Sequence, residues 1–158
     1  MNEVVNPYKI EPPFNVAFSG GATSGFMLRQ IIDAWGELPD DSRVIFCNTG
    51  LEHPKTLDFI HEVEQRWCPV VWLEYDPAER FKVVAYETAS RNGEPFAALN
   101  TKKGYTPNPV ARTCTVNLKI RANIAYLKAQ GWEEWENAIG LRYDEPHRVH
   151  RMKGDVKA

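Results

Sequence analysis

The chain has little of several features that mark particular protein classes. It has three cysteines in 158 residues, and an odd number without paired spacing argues against a disulfide framework. No apolar run approaches the length of a membrane span. The net charge of -2 creates no overall field toward nucleic acid or membrane. The N-terminal residues are neither basic nor followed by a long apolar core, so we expect no signal peptide and a cytoplasmic location.

The length and composition predict one domain. Hydrophobic residues make up 43% of the chain, which is enough for a buried core. Residues 1–13 contain three prolines and are interpreted as an extended arm. Residues 14–153 form the predicted domain and residues 154–158 a tail. The chain has no internal repeat or low-complexity segment that would indicate a second domain.

Apolar runs and helical patterns alternate along the chain. Strands are predicted at residues 14–18, 44–47, 70–73 and 138–141, and helices at residues 25–35, from Pro54 onward and at 115–130. The order predicts a doubly wound α/β fold, with a mainly parallel sheet and helices on both faces. Residues 75–111 are harder to assign: Val83 to Tyr86 fit a strand or a helix, and Pro95 begins a short helical pattern. Such long irregular insertions often act as lids.

A glycine turn follows the first strand and precedes the first helix. Adjacent glycines turn tightly without side chains in the way. The first amides of the following helix lack intrahelical partners and lie at the positive end of its dipole, so they suit a phosphate or sulfate. No lysine follows the glycines and no G-x-G-x-x-G is present, which excludes the two most familiar phosphate loops. The residues of this glycine loop are Ser19, Gly20, Gly21, Ala22, Thr23 and Ser24.

Two more polar motifs follow predicted strands. Asn48, Thr49, Gly50 and Glu52 come after the second strand, and Arg142 follows the fourth. The carboxyl ends of parallel strands share one rim, where ligands bind in such sheets. Gly50 would allow close backbone approach while Asn48 and Thr49 contact a ligand, and Arg142 suits bidentate phosphate recognition. For residues 48–52 the alternatives are an ordinary turn and a Glu52 whose charge caps the next helix. For the segment at Arg142 the alternative is a mixed-charge surface loop.

Five stretches in the same order carry a family resemblance. They are the glycine loop, Phe46-Cys47-Asn48-Thr49-Gly50-Leu51-Glu52, Arg112-Thr113-Cys114, Lys119, and Gly140-Leu141-Arg142-Tyr143-Asp144-Glu145. The glycine loop resembles the S-G-G-x-[DT]-S loop ("PP-loop") of the ATP pyrophosphatases and sulfonucleotide reductases. The ordered set resembles the phosphoadenosine phosphosulfate (PAPS) reductase branch, and is similar to its short phage-type members.

This resemblance implies an adenine nucleotide as ligand: PAPS, adenosine phosphosulfate (APS) or ATP. It implies an adenosine pocket near residues 48–52 and a role for Lys119 in holding the phosphate or sulfate. Magnesium is expected only if ATP is the substrate. Two chemistries are implied, the transfer of a sulfonate to a thiol with release of sulfite, and the cleavage of ATP between its α and β phosphates.

Cys114 precedes a predicted helix, whose dipole would stabilise a thiolate. It is a candidate nucleophile, with a buried structural cysteine as the alternative. Iron–sulfur relatives take cluster ligands from this region, but a cluster normally needs four cysteines and we expect none here. Arg148 belongs to a small basic tail that contacts a 3′-phosphate or nucleic acid, or is simply solvated. His147 and His150 lack partner cysteines, so we expect no metal site.

Two departures from the family pattern leave the function open. Thr23 replaces an aspartate common in the pyrophosphatase loop, and no E-C-G-[LI]-H segment follows Cys114. Three hypotheses remain: a reductase-family enzyme of sulfur metabolism, an ATP-dependent adenylating or sulfur-transfer enzyme acting on a nucleobase, and a non-catalytic nucleotide-binding module. The expected partners are the nucleotide and a thiol reductant protein or another protein. No membrane partner is expected, nucleic acid is the less favoured partner, and the oligomeric state is undetermined.

Overall fold

A computed structural model describes residues 4–104 and 116–140. Within them, five strands form one sheet in the order β4-β3-β2-β1-β5. Only β4 runs antiparallel to its neighbour. The strands are β1 Phe14–Ala17, β2 Ser42–Asn48, β3 Val71–Glu74, β4 Lys82–Val84 and β5 Glu136–Ile139. The predicted mainly parallel α/β sheet is confirmed.

The helices connect these strands. They are α1 Ala22–Trp35, α2 Pro54–Arg66, α3 Glu94–Lys103, the π-helical segment Val116–Arg121 and α4 Ala122–Ala129. Helix α2 begins after His53, whose side chain accepts a hydrogen bond from the amide of Lys55. Pro54 then occupies a position where its missing N–H is not needed. No helix in the described ranges is long and apolar enough to cross a membrane.

The two faces of the sheet carry separate clusters of buried side chains. Successive strand residues point to opposite faces. Phe46 therefore packs with Leu28 of α1 and Ile60 of α2, whereas its neighbour Ile45 packs with Leu127 of α4. Helices thus cover both faces, as the apolar strands predicted. The α4 face of β1 and β5 is less completely covered, and Ile139 keeps 43% of its surface exposed there.

Three elements differ from the sequence expectations. β5 begins and ends two residues earlier than predicted, so Gly140 follows the strand instead of lying within it. The ambiguous segment at Val83 is the antiparallel edge strand β4. The helix predicted over 115–130 is described from Val116, and its first six residues are π-helical. π-Helical turns are rare and often occur at functional sites.

The insertion after β3 is anchored by the buried carboxylate of Glu74. Its Oε2 accepts hydrogen bonds from Asn48 Nδ2 and the Ser90 amide, and its Oε1 accepts one from Ser90 Oγ, each at 2.7 Å. The Gly93 amide also donates to the Gly50 carbonyl at 3.0 Å. These bonds hold residues 85–93 against the turn that follows β2.

We predict that Glu74→Gln destabilises the fold by about 2 kcal/mol. The glutamine amide would place donors where Asn48 and Ser90 already donate, so at least one buried group loses its partner. Urea unfolding measures the change in free energy. Glu136→Gln, at an exposed position of β5, is the matched control and should change stability by less than about 0.5 kcal/mol. Equal effects of the two substitutions would contradict the anchoring role of Glu74.

Candidate nucleotide site

The glycine loop joins β1 to α1, and its two glycines differ in backbone conformation and in surroundings. Gly20 has a φ of +77°, and a Cβ there would lie 2.7 Å from Thr56 Cγ2 and 2.8 Å from Ile60 Cδ1. The fold therefore requires glycine at this position. Gly21 is extended, with a φ of -86°. Among the described residues, a Cβ on Gly21 would meet only Ser19 Oγ, at 3.6 Å, so none of these residues packs above Gly21.

Ser24 holds the loop in shape. Its hydroxyl accepts a hydrogen bond from the Ser19 amide at 3.2 Å and donates to the Gly21 carbonyl at 3.2 Å. The Ser19 hydroxyl oxygen lies 3.0 Å from Ser24 Oγ, within hydrogen-bond distance. Ser24 is buried, so the sequence prediction of a ligand-binding hydroxyl there needs revision. The Ser24 hydroxyl stabilises the loop by hydrogen bonds within it. The side chains of Ser19 and Thr23 are exposed and half-buried, respectively.

The first amides of α1 are available to a ligand. The first helical hydrogen bond runs from the Gly25 amide to the Gly21 carbonyl. The amides of Gly21, Ala22 and Thr23 meet no acceptor within the described part of the chain. The first turn of α1 contains no acidic residue, so no carboxylate of this turn compensates the positive end of the helix dipole. The arrangement is suited to an anion.

Gly140 brings the end of β5 against this loop. β1 pairs with β2 on one side and with β5 on the other, so the strand order reverses at β1. A Cβ on Gly140 would lie 3.3 Å from Ser24 Cα and 3.4 Å from the Ser24 amide nitrogen. A side chain at position 140 would require the Ser24 backbone to move by a few tenths of an ångström, so glycine allows the closer contact between the two backbones. The glycine loop therefore lies at the topological switch point of the sheet, the usual ligand position in open α/β folds.

A cleft of about 370 Å³ extends from the loop along the α4 face of the sheet. Its lining includes Ser19, Ser24 and Gly140 at the loop, and Lys119, Ile120 and Ile124 from the π-helical segment and α4. Lys119 is exposed. Its side chain is positively charged, and Lys119 lines the same cleft that the glycine loop borders. The structure thus brings together the glycine loop, Gly140 and Lys119, three of the features singled out in the sequence.

The turn after β2 is organised differently from the sequence expectation. Asn48 is fully buried, and its carboxamide bonds Glu74, the Ser90 carbonyl and the Gly50 amide. Its side chain therefore supports the turn and offers no free group to a ligand. Thr49 Oγ1 donates to Glu52 Oε1 at 3.2 Å. Glu52 directly precedes His53, the N-cap residue of α2, and the alternative that its charge stabilises this helix start stays a prediction.

The backbone conformation of this turn requires glycine at position 50. Its φ is +83°, and a Cβ there would lie 2.7 Å from the Gly93 nitrogen. The close backbone approach predicted for Gly50 is therefore an approach to Gly93, in the insertion that follows β3. The remaining sequence candidates Arg112, Cys114, Arg142 and Arg148 lie outside the described residues.

Neither described cysteine is suited to nucleophilic chemistry. Burial raises the pKa of the Cys47 thiol to about 12, against a smaller lowering by the Lys119 charge. The Cys47 thiol also donates to the Lys119 carbonyl at 3.7 Å. Burial raises the pKa of Cys68 to about 11. Both thiols stay protonated at neutral pH, and the thiolate is the reactive form. Within the described ranges, no three His, Cys, Asp or Glu side chains are grouped to hold a metal ion.

Sequence reasoning missed the asparagines of the cleft. Asn15 and Asn137 from neighbouring strands and Asn123 from α4 all line it. Asn15 could have been noticed, because it is the one polar residue in the apolar run 14–18. Asn123 and Asn137 gave no such signal, since they reach the cleft only through the fold.

Two comparisons with known proteins agree with this geometry. A family model described as the phosphoadenosine phosphosulfate reductase domain matches residues 13–156. An "Uncharacterized nin region protein ORF290" of Escherichia phage lambda is 29% identical over 157 residues, which cover 88% of this chain and 51% of the phage protein. The chain therefore spans about half the length of this relative.

We predict that Cys47 reacts slowly with iodoacetamide at pH 8 in the folded protein. A pKa of about 12 leaves on the order of one thiol in 10⁴ ionised at that pH. The rate should rise about tenfold per pH unit above pH 8 while the fold persists. Peptide mass spectrometry separates Cys47 from the other cysteines, and urea-unfolded protein gives the unprotected rate. Equal rates in folded and unfolded protein at pH 8 would refute the protection of Cys47.

Proposed function

The chain belongs to the phosphoadenosine phosphosulfate reductase family as a phage-type member, and on that premise we propose that it binds an adenine nucleotide. PAPS, APS and ATP share an AMP unit and differ in the group attached to it. We place the anionic end of the nucleotide at the glycine loop and the nucleoside along the cleft. The proposed role is sulfonucleotide reduction or a related step of sulfur metabolism.

One observation carries this proposal. The amides of Gly21, Ala22 and Thr23 have no acceptor among the described residues, and they face the switch point between β1 and β5. Backbone N–H groups at a helix start bind phosphate and sulfate oxygens without any charged side chain. The space above Gly21 supports the same conclusion, because no residue within 4–104 or 116–140 packs where an anion would lie.

The charges around the loop favour a sulfonucleotide over magnesium-bound ATP. Thr23 stands where the pyrophosphatase loop commonly has an aspartate, and the first turn of α1 has no acidic residue. The loop therefore supplies no carboxylate ligand for Mg²⁺. Lys119, on the wall of the cleft, supplies positive charge to the anionic end directly. A sulfonate needs such charge stabilisation and no metal ion.

In the proposed reaction, a thiolate attacks the sulfonate sulfur and the bond from that sulfur to the phosphate oxygen breaks. The nucleotide leaves with the electron pair, and a second thiol then releases sulfite and forms a disulfide. This chain's part is to orient the nucleotide and to stabilise the charge on its leaving phosphate. Cys47 and Cys68 do not supply the thiolate, because their pKa values lie far above neutral. The thiol then comes from Cys114 or from a thiol reductant protein.

Calorimetric titration with PAPS, APS, ATP and AMP tests the proposal. We expect binding to the wild-type chain, with at least tenfold weaker affinity in Gly21→Val. The valine side chain would fill the space of the anion and block its contact with the amides. Gly21 has an extended backbone and an open Cβ direction, so unfolding stability should change by less than about 0.5 kcal/mol.

Ala129→Val is the control, because it also introduces valine, here at an exposed position at the end of α4. Its affinity for each nucleotide should equal that of the wild type. Failure of all four nucleotides to bind, or unchanged affinity in Gly21→Val, would contradict the proposed site. Release of sulfite from PAPS or APS in the presence of a dithiol would distinguish a reductase from a binding module.

A further inference from the structure

Lys119 is the one charged residue among the described residues that line the cleft. Its side chain forms no ion pair within residues 4–104 and 116–140, so no carboxylate there neutralises its charge. Salt screens the attraction between exposed charges beyond about 8–10 Å. The position in which the protein holds the backbone of Lys119 therefore decides how much of this charge acts on an anion in the cleft.

Lys119 lies in the π-helical segment Val116–Arg121, directly before α4. A π-helical turn is rare, and its hydrogen bonds span five residues where those of an α-helix span four. The extra residue turns the segment about the helix axis relative to α4, and Lys119 turns with it. The position of Lys119 therefore depends on the contacts that hold this segment in its π-helical form.

One contact holds the segment from the side of the insertion. Leu118 is fully buried and belongs to one cluster with Leu99 of α3 and Tyr75, which directly follows β3. Lys119, the next residue, is exposed, because successive residues of a helix point in different directions. Leu118 thus anchors the segment to α3 while the Lys119 side chain stays at the surface.

The second contact comes from the sheet and reaches Lys119 itself. Side chains alternate along a strand, so Cys47 lies on the same face of β2 as Ile45 and packs against the cluster that contains Ile45. The Cys47 thiol donates to the Lys119 carbonyl at 3.7 Å. This bond joins β2 to the π-helical segment, and both residues line the cleft.

Burial makes the Cys47 thiol a lasting donor. It raises the pKa of this thiol to about 12, so the S–H group is retained at neutral pH. The Lys119 charge lowers the same pKa by a smaller amount, which indicates that this charge lies near the thiol. The thiol is therefore unsuited to nucleophilic chemistry but suited to a structural hydrogen bond.

We propose that Cys47 is a positioning residue, which holds Lys119 at the cleft through its hydrogen bond to the Lys119 carbonyl and thereby raises the affinity for an anionic ligand. This inference rests on the proposed function, since it assumes a nucleotide whose anionic end lies at the glycine loop. Cys47 acts without touching the nucleotide, so its effect on binding requires the Lys119 charge.

A double-mutant cycle tests this requirement. Calorimetry measures the affinities for PAPS, APS, ATP and AMP in the wild type, Cys47→Ala, Lys119→Met and the double variant. For the nucleotide that binds most tightly, we expect Lys119→Met to weaken binding about fivefold and Cys47→Ala to weaken it about threefold. The double variant should bind like Lys119→Met, within a factor of about 1.5, because no charge is left for Cys47 to position.

Ionic strength adds a measurement that a loss of packing alone would not change. At about 1 M salt the Debye length is about 3 Å, so the Lys119 charge contributes little to binding. The effect of Cys47→Ala should then disappear, whereas an effect of disturbed packing would persist. If the alanine variant does not fold, Cys47→Ser replaces it in the cycle, because the shorter serine side chain leaves its hydroxyl beyond hydrogen-bond distance of the carbonyl.

Cys68→Ala is the matched control, because it removes the same sulfur atom at another site. Cys68 is the other cysteine of the described ranges, is 9% exposed and does not line the cleft. This variant should keep the wild-type affinity for each nucleotide at low and at high salt.

The outcomes separate this inference from the proposed function. Unchanged affinity in Cys47→Ala, with binding still lowered by Gly21→Val and by Lys119→Met, would overturn the positioning role and leave the anion site intact. An equal loss from Cys47→Ala in the wild type and in Lys119→Met would also overturn it and assign Cys47 to packing alone. Absence of binding by all four nucleotides would contradict the proposed function, and this inference with it.

Discussion

The site depends on a small set of contacts that leave the first amides of α1 without an acceptor among the described residues. Gly20 turns the chain with a positive φ, and the Ser24 hydroxyl ties the Ser19 amide to the Gly21 carbonyl. Gly140 allows the end of β5 to contact Ser24 without a side chain between them. Each contact is satisfied within the protein and leaves the amides of Gly21, Ala22 and Thr23 available. The loop is therefore formed in advance of any ligand, so little ordering entropy is lost on binding.

The two ends of the cleft have different polarity. At the glycine loop the first amides of α1 present partial positive charge, whereas Ala17, Ile45 and Ile124 contribute an apolar lining further along the sheet. A molecule that is anionic at one end and mainly apolar at the other matches this polarity. Of the two described cysteines, Cys47 lines the cleft, but burial raises the pKa of its thiol to about 12 and keeps the thiol protonated at neutral pH. The described part of the chain is thus built for recognition and charge stabilisation.

The sequence predicted the elements whose signals are local. The apolar run before two glycines and the helical pattern after them placed β1, the glycine loop and α1 close to their observed bounds. The family resemblance pointed to Gly140 and Lys119, which do reach the cleft. Signals that depend on tertiary packing were misread. Asn48 lies near the carboxyl end of a strand, where ligand-binding residues often lie, but its carboxamide donates a hydrogen bond to the buried Glu74. The edge strand at Val83 is short and exposed, so its pattern resembled a helix equally well. The π-helical start before α4 follows from no local periodicity.

The most direct measurement of the central claim is a ¹H–¹⁵N correlation spectrum of the chain titrated with AMP. If the bare amides hold the anionic end, the largest shift changes occur at Gly21, Ala22 and Thr23. The Gly36 amide, which is already bonded within the protein to the Ile32 carbonyl, should remain unchanged. Saturable changes elsewhere in the spectrum, with these three amides unmoved, would contradict the account.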